Sequence, residues 1–328
     1  MRRMWKKVMP VCLAVLVLAG SLLGCGTKSQ TTEIRVGSMK GPTSMGLLFL
    51  MEEAEAKKAA NGYSFQMVTG ADELLPLMIK EELDIALVPA NVASVLYNKT
   101  AGEVAVIDIN TCGVLYMVSG DASLKQFTDL KGKTVYLTGK GTTPDYVLQY
   151  LLAQNGMTTE DCVLEYKSEA TEVAAVLARE PDAVGLLPQP FVTSALSQNQ
   201  ALSLVFSMDE EWAKVCEEGT GTVTGVTVVR KAFLEENEKA VKAFLEEHAK
   251  SAAAIKADPK AGAELVVKAG ILAKEALAEK AIPFCGIDCI TGQEMKASLS
   301  AYLQVLFDQA PEAVGGQLPG EDFYYPAK

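Results

Sequence analysis

Three short segments, two rich in glycine and hydroxyl residues and all three containing proline, stand between an apolar run and an amphipathic one. They are Ser38-Met39-Lys40-Gly41-Pro42-Thr43-Ser44-Met45-Gly46, Gly139-Lys140-Gly141-Thr142-Thr143-Pro144-Asp145 and Leu187-Pro188-Gln189-Pro190-Phe191. A loop that leaves a strand and opens a helix offers unpaired backbone N–H groups and the positive end of a helix dipole, which suits an anion or a polar head group. In the second segment Thr143 reads as the N-cap and Pro144 as the first helical residue. The run Gly-Lys-Gly-Thr-Thr lacks the GxxxxGK[ST] spacing of a phosphate loop, so nucleotide hydrolysis is not indicated. Gln189, between two prolines that set its direction, and Asn91, after Pro89-Ala90, can each donate and accept hydrogen bonds. Binding of a small molecule is the chemistry these residues support.

Catalysis is not. The chain has a single histidine, His248, which rules out a histidine dyad or a metal site built on several histidines. It lies in the charged stretch AFLEEHAK and is expected at the surface. No carboxylate pair, nucleophile with a base, or metal cluster can be assembled from spacing, so no catalytic residue, metal or cofactor is expected. Paired acids such as Glu52-Glu53 and Glu235-Glu236 read as solvated helix faces. Lys and Arg number 30 against 41 Asp and Glu, a formal charge of -11, and no basic face exists for a nucleic acid.

The elements that must position these loops follow from periodicity. Short apolar runs alternate with amphipathic ones from Ile34 onward, which predicts an α/β architecture with mostly parallel sheets covered by helices. Strands are expected at 34–39, 64–70 and 84–90, with helices at 44–60, 72–82 and 91–98. The runs at 104–110 and 113–119 have no full helix between them, and this break in alternation marks a lobe boundary. A second series follows: strands at 133–139, 162–168, 183–190 and 202–208, helices at 144–155, 170–180 and 191–198, and a short acidic helix at 209–218. The apolar run 224–230 returns to the first lobe, and everything after Lys231 is helical in pattern up to the turn-rich stretch PEAVGGQLPGED. Two lobes joined by two crossovers leave a cleft at the carboxyl ends of their strands, where ligands bind, and the crossovers form a hinge that permits closure.

Residues 1–7 carry four positive charges, and the 17 residues from Val8 to Gly24 carry none. This is the pattern of a secretory signal, too short for a permanent membrane span. It ends in Leu22-Leu23-Gly24-Cys25, which looks like a lipobox, so residues 1–24 are expected to be removed and Cys25 lipidated, with 25–33 as a polar tether. Loss of 1–24 leaves a net charge of -15. Of the seven cysteines, Cys112, Cys162, Cys216, Cys285 and Cys289 remain unassigned. Five is odd for a disulfide framework; Cys285 and Cys289 either pair or sit as buried thiols.

The lipobox, IRVGSMKGPTSM, GADELLPLMIKEELDIALVPANVA, DLKGKTVYLTGKGTTPDYVL and AVGLLPQPFVT, in this order, resemble the solute-binding lipoproteins of bacterial ABC importers. The likeness is to the branch that includes nitrate-, sulfonate-, taurine- and thiamine-precursor-binding proteins, and it covers nearly the whole mature chain. It implies a two-lobed type II periplasmic-binding fold, with lobe one from 34–112 and 225–328 and lobe two from 113–224. It further implies a monomer, anchored outside the cell membrane, that delivers a small ligand to an ABC permease and its ATPase. The family's ligand loops fall on Lys40, Gly41, Pro42, Thr43, Ser44 and Met45, on Gly141, Thr142 and Thr143, and on Asn91. Many relatives carry an acid where Gln189 stands, so a strongly cationic ligand is not expected to pair there. Two other readings use the same fold: a menaquinone- or thiamine-pyrimidine-type enzyme, which would need a cytosolic setting and a reactive side-chain set, and a sensor or surface lipoprotein without a transport role.

Overall fold

In the computed structural model, which describes residues 31–216 and 221–326, the first half of the chain runs β1 (Glu33–Met39), α1 (Pro42–Met45), α2 (Leu48–Glu55), β2 (Gly62–Val68), α3 (Ala71–Ile79), β3 (Ile85–Pro89), α4 (Ala90–Lys99), β4 (Val104–Cys112) and β5 (Leu115–Ser119). It continues with β6 (Thr134–Thr138), α5 (Thr143–Gln154), β7 (Val163–Lys167), α6 (Ala170–Arg179), β8 (Val184–Pro188), α7 (Phe191–Gln198), β9 (Ser203–Ser207), α8 (Met208–Ala213) and β10 (Val223–Arg230). The last part is α9 (Lys231–Glu236), α10 (Glu238–Ala257), α11 (Pro259–Lys268), α12 (Glu275–Ala281), β11 (Ile287–Ile290) and α13 (Gly292–Gln309). The expected signal at 1–24, the lipidated Cys25 and most of the tether lie outside the described residues. The first strand starts at Glu33, one residue inside the expected tether.

One sheet has six strands in the order β11, β4, β10, β3, β1, β2; the other has five in the order β7, β6, β8, β5, β9. The central strands are the continuous apolar runs: β3 is buried at all five positions and β10 at all but Arg230. Edge strands such as β7 are partly exposed along their length. This is the difference between a strand covered on both faces and one at a rim.

The sheets are mixed rather than mostly parallel. Parallel pairing holds for β1 with β2 and β3, and for β6 with β7 and β8. In contrast β10 runs antiparallel to β3 and β4, and β5 antiparallel to β8 and β9. The reason is topological. Strands delivered by helical crossovers all point their carboxyl ends the same way, whereas β5 and β10 each arrive from the other sheet and enter from that end, so they must run in reverse. The two crossing segments lie side by side, with Val223 opposite Cys112 and the Gly113 N–H donating to the Thr222 carbonyl.

Three further expectations are corrected. The expected helix at 44–60 is broken into α1 and α2 at Gly46-Leu47, where a Cβ on Gly46 would lie 3.2 Å from the His248 ring and 3.4 Å from Ile287, tighter than side chains ordinarily pack. The region after Lys231 is not all helical: Ile287–Ile290 forms β11, which caps the edge of β4 in antiparallel pairing. A four-residue strand inside a helical tract leaves too short a period-2 pattern to read. His248 is not at the surface but fully buried, since α10 lays that face against β11 and α2. All five described cysteines are free, and the Cys285 thiol donates to the Ala281 carbonyl rather than bonding Cys289.

Candidate functional site

Six strands end at one place. A cavity of about 600 Å³ is walled by the segments that follow β1, β2, β3, β6, β7 and β8, together with Leu115 at the start of β5 and Thr224 near the start of β10. Residues of both sheets therefore face each other across it. Its walls hold apolar groups (Met39, Pro42, Leu115, Phe191), hydroxyls (Thr43, Thr69, Thr138, Thr142, Thr143, Ser168, Thr171, Thr224), two cations (Lys40, Lys140) and three acids (Asp72, Glu73, Glu169). The amino ends of α3, α5, α6 and α7 border it, so the field of several helix dipoles converges on the space.

Each loop is held by its own side chains. After β1, Gly41 has φ +145°, a conformation open to glycine, and Pro42 then begins α1. The Thr43 hydroxyl donates to the Met39 carbonyl at 3.3 Å, and the Ser44 hydroxyl is 2.7 Å from Ser38 Oγ. After β2, the Glu73 carboxylate accepts the N–H groups of Thr69 and Gly70 at 3.0 and 3.2 Å. After β6, Asp145 is the organiser: one oxygen accepts the Gly141 N–H at 2.8 Å, and the other accepts from the Gln149 amide at 2.6 Å and the Tyr166 hydroxyl at 2.8 Å. Burial, then the bond to Asp145, pushes the Tyr166 phenol above its ordinary pKa, so the ring stays neutral, with the Lys140 ammonium 5.3 Å above it. After β7, the Ser168 N–H donates to Glu172.

The sequence-derived candidates divide accordingly. Lys40, Pro42, Thr43, Thr142 and Thr143 are in the cavity wall. Thr142, not Thr143, occupies the N-cap position of α5 and donates its hydroxyl to the Gly139 carbonyl at 2.6 Å. Thr143, fully buried, donates to the Thr224 carbonyl at 3.3 Å and so ties α5 to β10. Ser44 and Met45 are fully buried, the latter in apolar packing, and neither is in the wall; nor are Gly41 and Gly141. Asn91 bridges the two halves: its amide donates to the carbonyls of Gly141 and Ala313, both at 3.1 Å, and its own carbonyl oxygen is buried and unpartnered. Gln189 is not among the wall residues, and its side-chain oxygen accepts from the Thr193 N–H and hydroxyl. Thr224 contributes to the wall, but its Oγ1 is buried away from solvent and has no hydrogen-bond partner.

Sequence reasoning missed the loops after β2 and β7, Thr69–Glu73 and Ser168–Thr171. The available signal was position: they too join a parallel strand to a helix, although neither carries the glycine-proline pattern that marked the other loops.

A family model described as NMT1/THI5 like matches residues 100–262. Among solved structures, the chain is similar to an ABC transporter from Parabacteroides distasonis, with 24% identity, TM-score 0.74, and coverage of 90% of this chain and 100% of that one. It is similar also to the alkanesulfonate-binding protein SsuA from Xanthomonas axonopodis pv. citri bound to MOPS (15% identity, TM-score 0.70, 91% and 100% covered). The periplasmic aliphatic sulphonate binding protein SsuA from Escherichia coli gives 14% identity and TM-score 0.69, with 90% and 96% covered. No curated protein matches. The fold is that of the periplasmic binding proteins of ABC transporters, the family that the sequence motifs resemble.

Proposed function

We propose that this protein is the solute-binding component of an ABC importer: a non-catalytic, extracytoplasmic lipoprotein, anchored through Cys25, that captures a small organic molecule and delivers it to a permease and its ATPase. The observation that carries the reading is the 600 Å³ cavity between the carboxyl ends of two sets of strands, walled from both sides. Lobe one would comprise 34–112 and 225–328 and lobe two 113–224, with the paired crossings at Cys112–Gly113 and Thr222–Val223 as the hinge. The helix amino ends with Lys40 and Lys140 favour an anionic or strongly polar head group, while Leu115 and Phe191 favour an apolar body.

The test is a thermal-shift screen of the mature protein against sulfonates, nitrate, pyrimidines, amino acids and aromatic acids. A ligand present at about 100 times its Kd adds about 2.7 kcal/mol of stability, and one chemical class should give that shift while the others do not. Absence of a shift in every class would count against capture. For the anchor, incorporation of labelled fatty acid in cells should occur in the native protein and be lost in Cys25→Ala.

A further inference from the structure

Away from the cavity, three side chains of different chemistry converge under the edge strand β11. The carboxylate of Asp108 on β4, the imidazole of His248 on α10 and the thiol of Cys289 on β11 place one ligand atom each within 4.8 Å of one another. His248 Nδ1 is 3.1 Å from Asp108 Oδ2 and 4.0 Å from Cys289 Sγ. Asp108 and His248 are fully buried; Cys289 is partly so.

The arrangement is not that of a nucleophile with its base. That chemistry needs the carboxylate and the thiol on opposite nitrogens of the ring, whereas here both face Nδ1. Convergence of oxygen, nitrogen and sulfur on one point is instead the geometry of a cation's ligand set. Ligands at tetrahedral angles around a zinc ion stand roughly 3.5 Å apart, and the two distances to Nδ1 bracket that value. The set is also braced from outside, as metal ligands commonly are. Thr227 donates its hydroxyl to Asp108 Oδ1 at 2.8 Å, which turns Oδ2 toward the ring, and Asn110 in turn donates to Thr227. The ring itself is fixed between Phe244, at 5.6 Å, and the space left by Gly46. Among the described residues no lysine or arginine pairs with Asp108.

We propose that Asp108, His248 and Cys289 form a site for a divalent cation of zinc-like character, open at a fourth position. The mixed nitrogen, sulfur and oxygen set favours zinc over magnesium or calcium, which take oxygen ligands. Binding would release the Cys289 thiol proton, and any proton on the imidazole, to the buffer.

The test uses the purified protein, treated with a chelator and then titrated with Co²⁺ alone. One equivalent should produce a thiolate-to-cobalt charge-transfer band, which one equivalent of Zn²⁺ abolishes, and Zn²⁺ should raise Tm. Cys289→Ser should lack the band, with Cys289→Ala as a second variant should the serine fail to fold; Cys216→Ser should keep it. Failure of the native protein to bind one equivalent, or a band that survives both Cys289 substitutions, would overturn the site and leave Asp108 and His248 as a structural pair.

Discussion

At the scale of single residues, the polar groups of this protein fall into those whose hydrogen bonds are complete and those left open. Asp84, immediately before β3, is nearly fully buried and accepts from the Arg35 backbone N–H and guanidinium and from Arg230. Burial alone would raise its pKa, but the bonds from Arg35 and then Arg230 outweigh this, and the net shift is downward. A depressed carboxylate stabilises the fold fully above its unfolded pKa, about 4, and the contribution is lost as pH falls through the lower folded value. Asp84→Asn should therefore cost about 2–3 kcal/mol at neutral pH, allowing for the partial exposure of Arg35, and urea midpoints measured from pH 7 to pH 3 should fall less steeply than in the native protein. Thr224 Oγ1 is buried without a partner, so Thr224→Val should leave the fold intact and hold or raise stability by up to about 1 kcal/mol, read as a urea midpoint at or above the native value; a clear fall in the midpoint would show that the hydroxyl is satisfied in the folded protein.

At the scale of elements, the cavity depends on how each loop is stopped and started. Asp145, three residues into α5, ties down the loop before it as well as Tyr166 on β7, so one carboxylate orders two walls. Away from the cavity, β11 is joined to the crossing by Gly286, whose φ is +56° and where a Cβ would lie 1.7 Å from the Cys112 carbonyl oxygen. Gly286→Ala should cost on the order of 3 kcal/mol, seen as a lower denaturation midpoint, with faster amide exchange in β11 than in β3. If exchange in β11 were unchanged, the strand would not depend on that close approach. By comparison Asp258, whose side chain caps α11 by accepting the Ala261 N–H at 3.0 Å, should cost only about 1 kcal/mol on replacement by alanine.

At the scale of the molecule, helices bordering the two sheets touch through aromatic rings. Trp212 on α8 lies 4.6 Å from Tyr150 on α5 and 5.4 Å from Tyr302 on α13, the first two on the five-stranded side and the last on the six-stranded side. On the proposed capture role, opening of the halves separates Tyr302 from Trp212 and admits water. Trp5 lies in the segment expected to be cleaved, so the mature chain's tryptophan emission comes from Trp212 alone. Saturation with the screened ligand should shift that emission to the blue and narrow it relative to the free protein. An identical spectrum in both states would mean that this contact does not move.

Much of the architecture was legible in the sequence because it is written in local physics. Apolar runs of five to eight residues make buried strands, amphipathic tracts make helices, and the missing helix between 112 and 115 marks the first crossing between sheets. The glycine-proline loops at Lys40–Thr43 and Thr142–Thr143 were legible for the same reason: backbone constraint and capping are properties of adjacent residues. What the tertiary structure alone decided depends on residues far apart in the chain. The oxygen of Gln189 is taken by Thr193 one turn later, a pairing that the local proline pattern does not reveal. The loops after β2 and β7 enter the wall only because both sheets present the same ends to one space. Asp108, His248 and Cys289 meet across 140 and 41 positions; no spacing rule reaches that distance, since only the packing of α10 against β4 and β11 brings the three together.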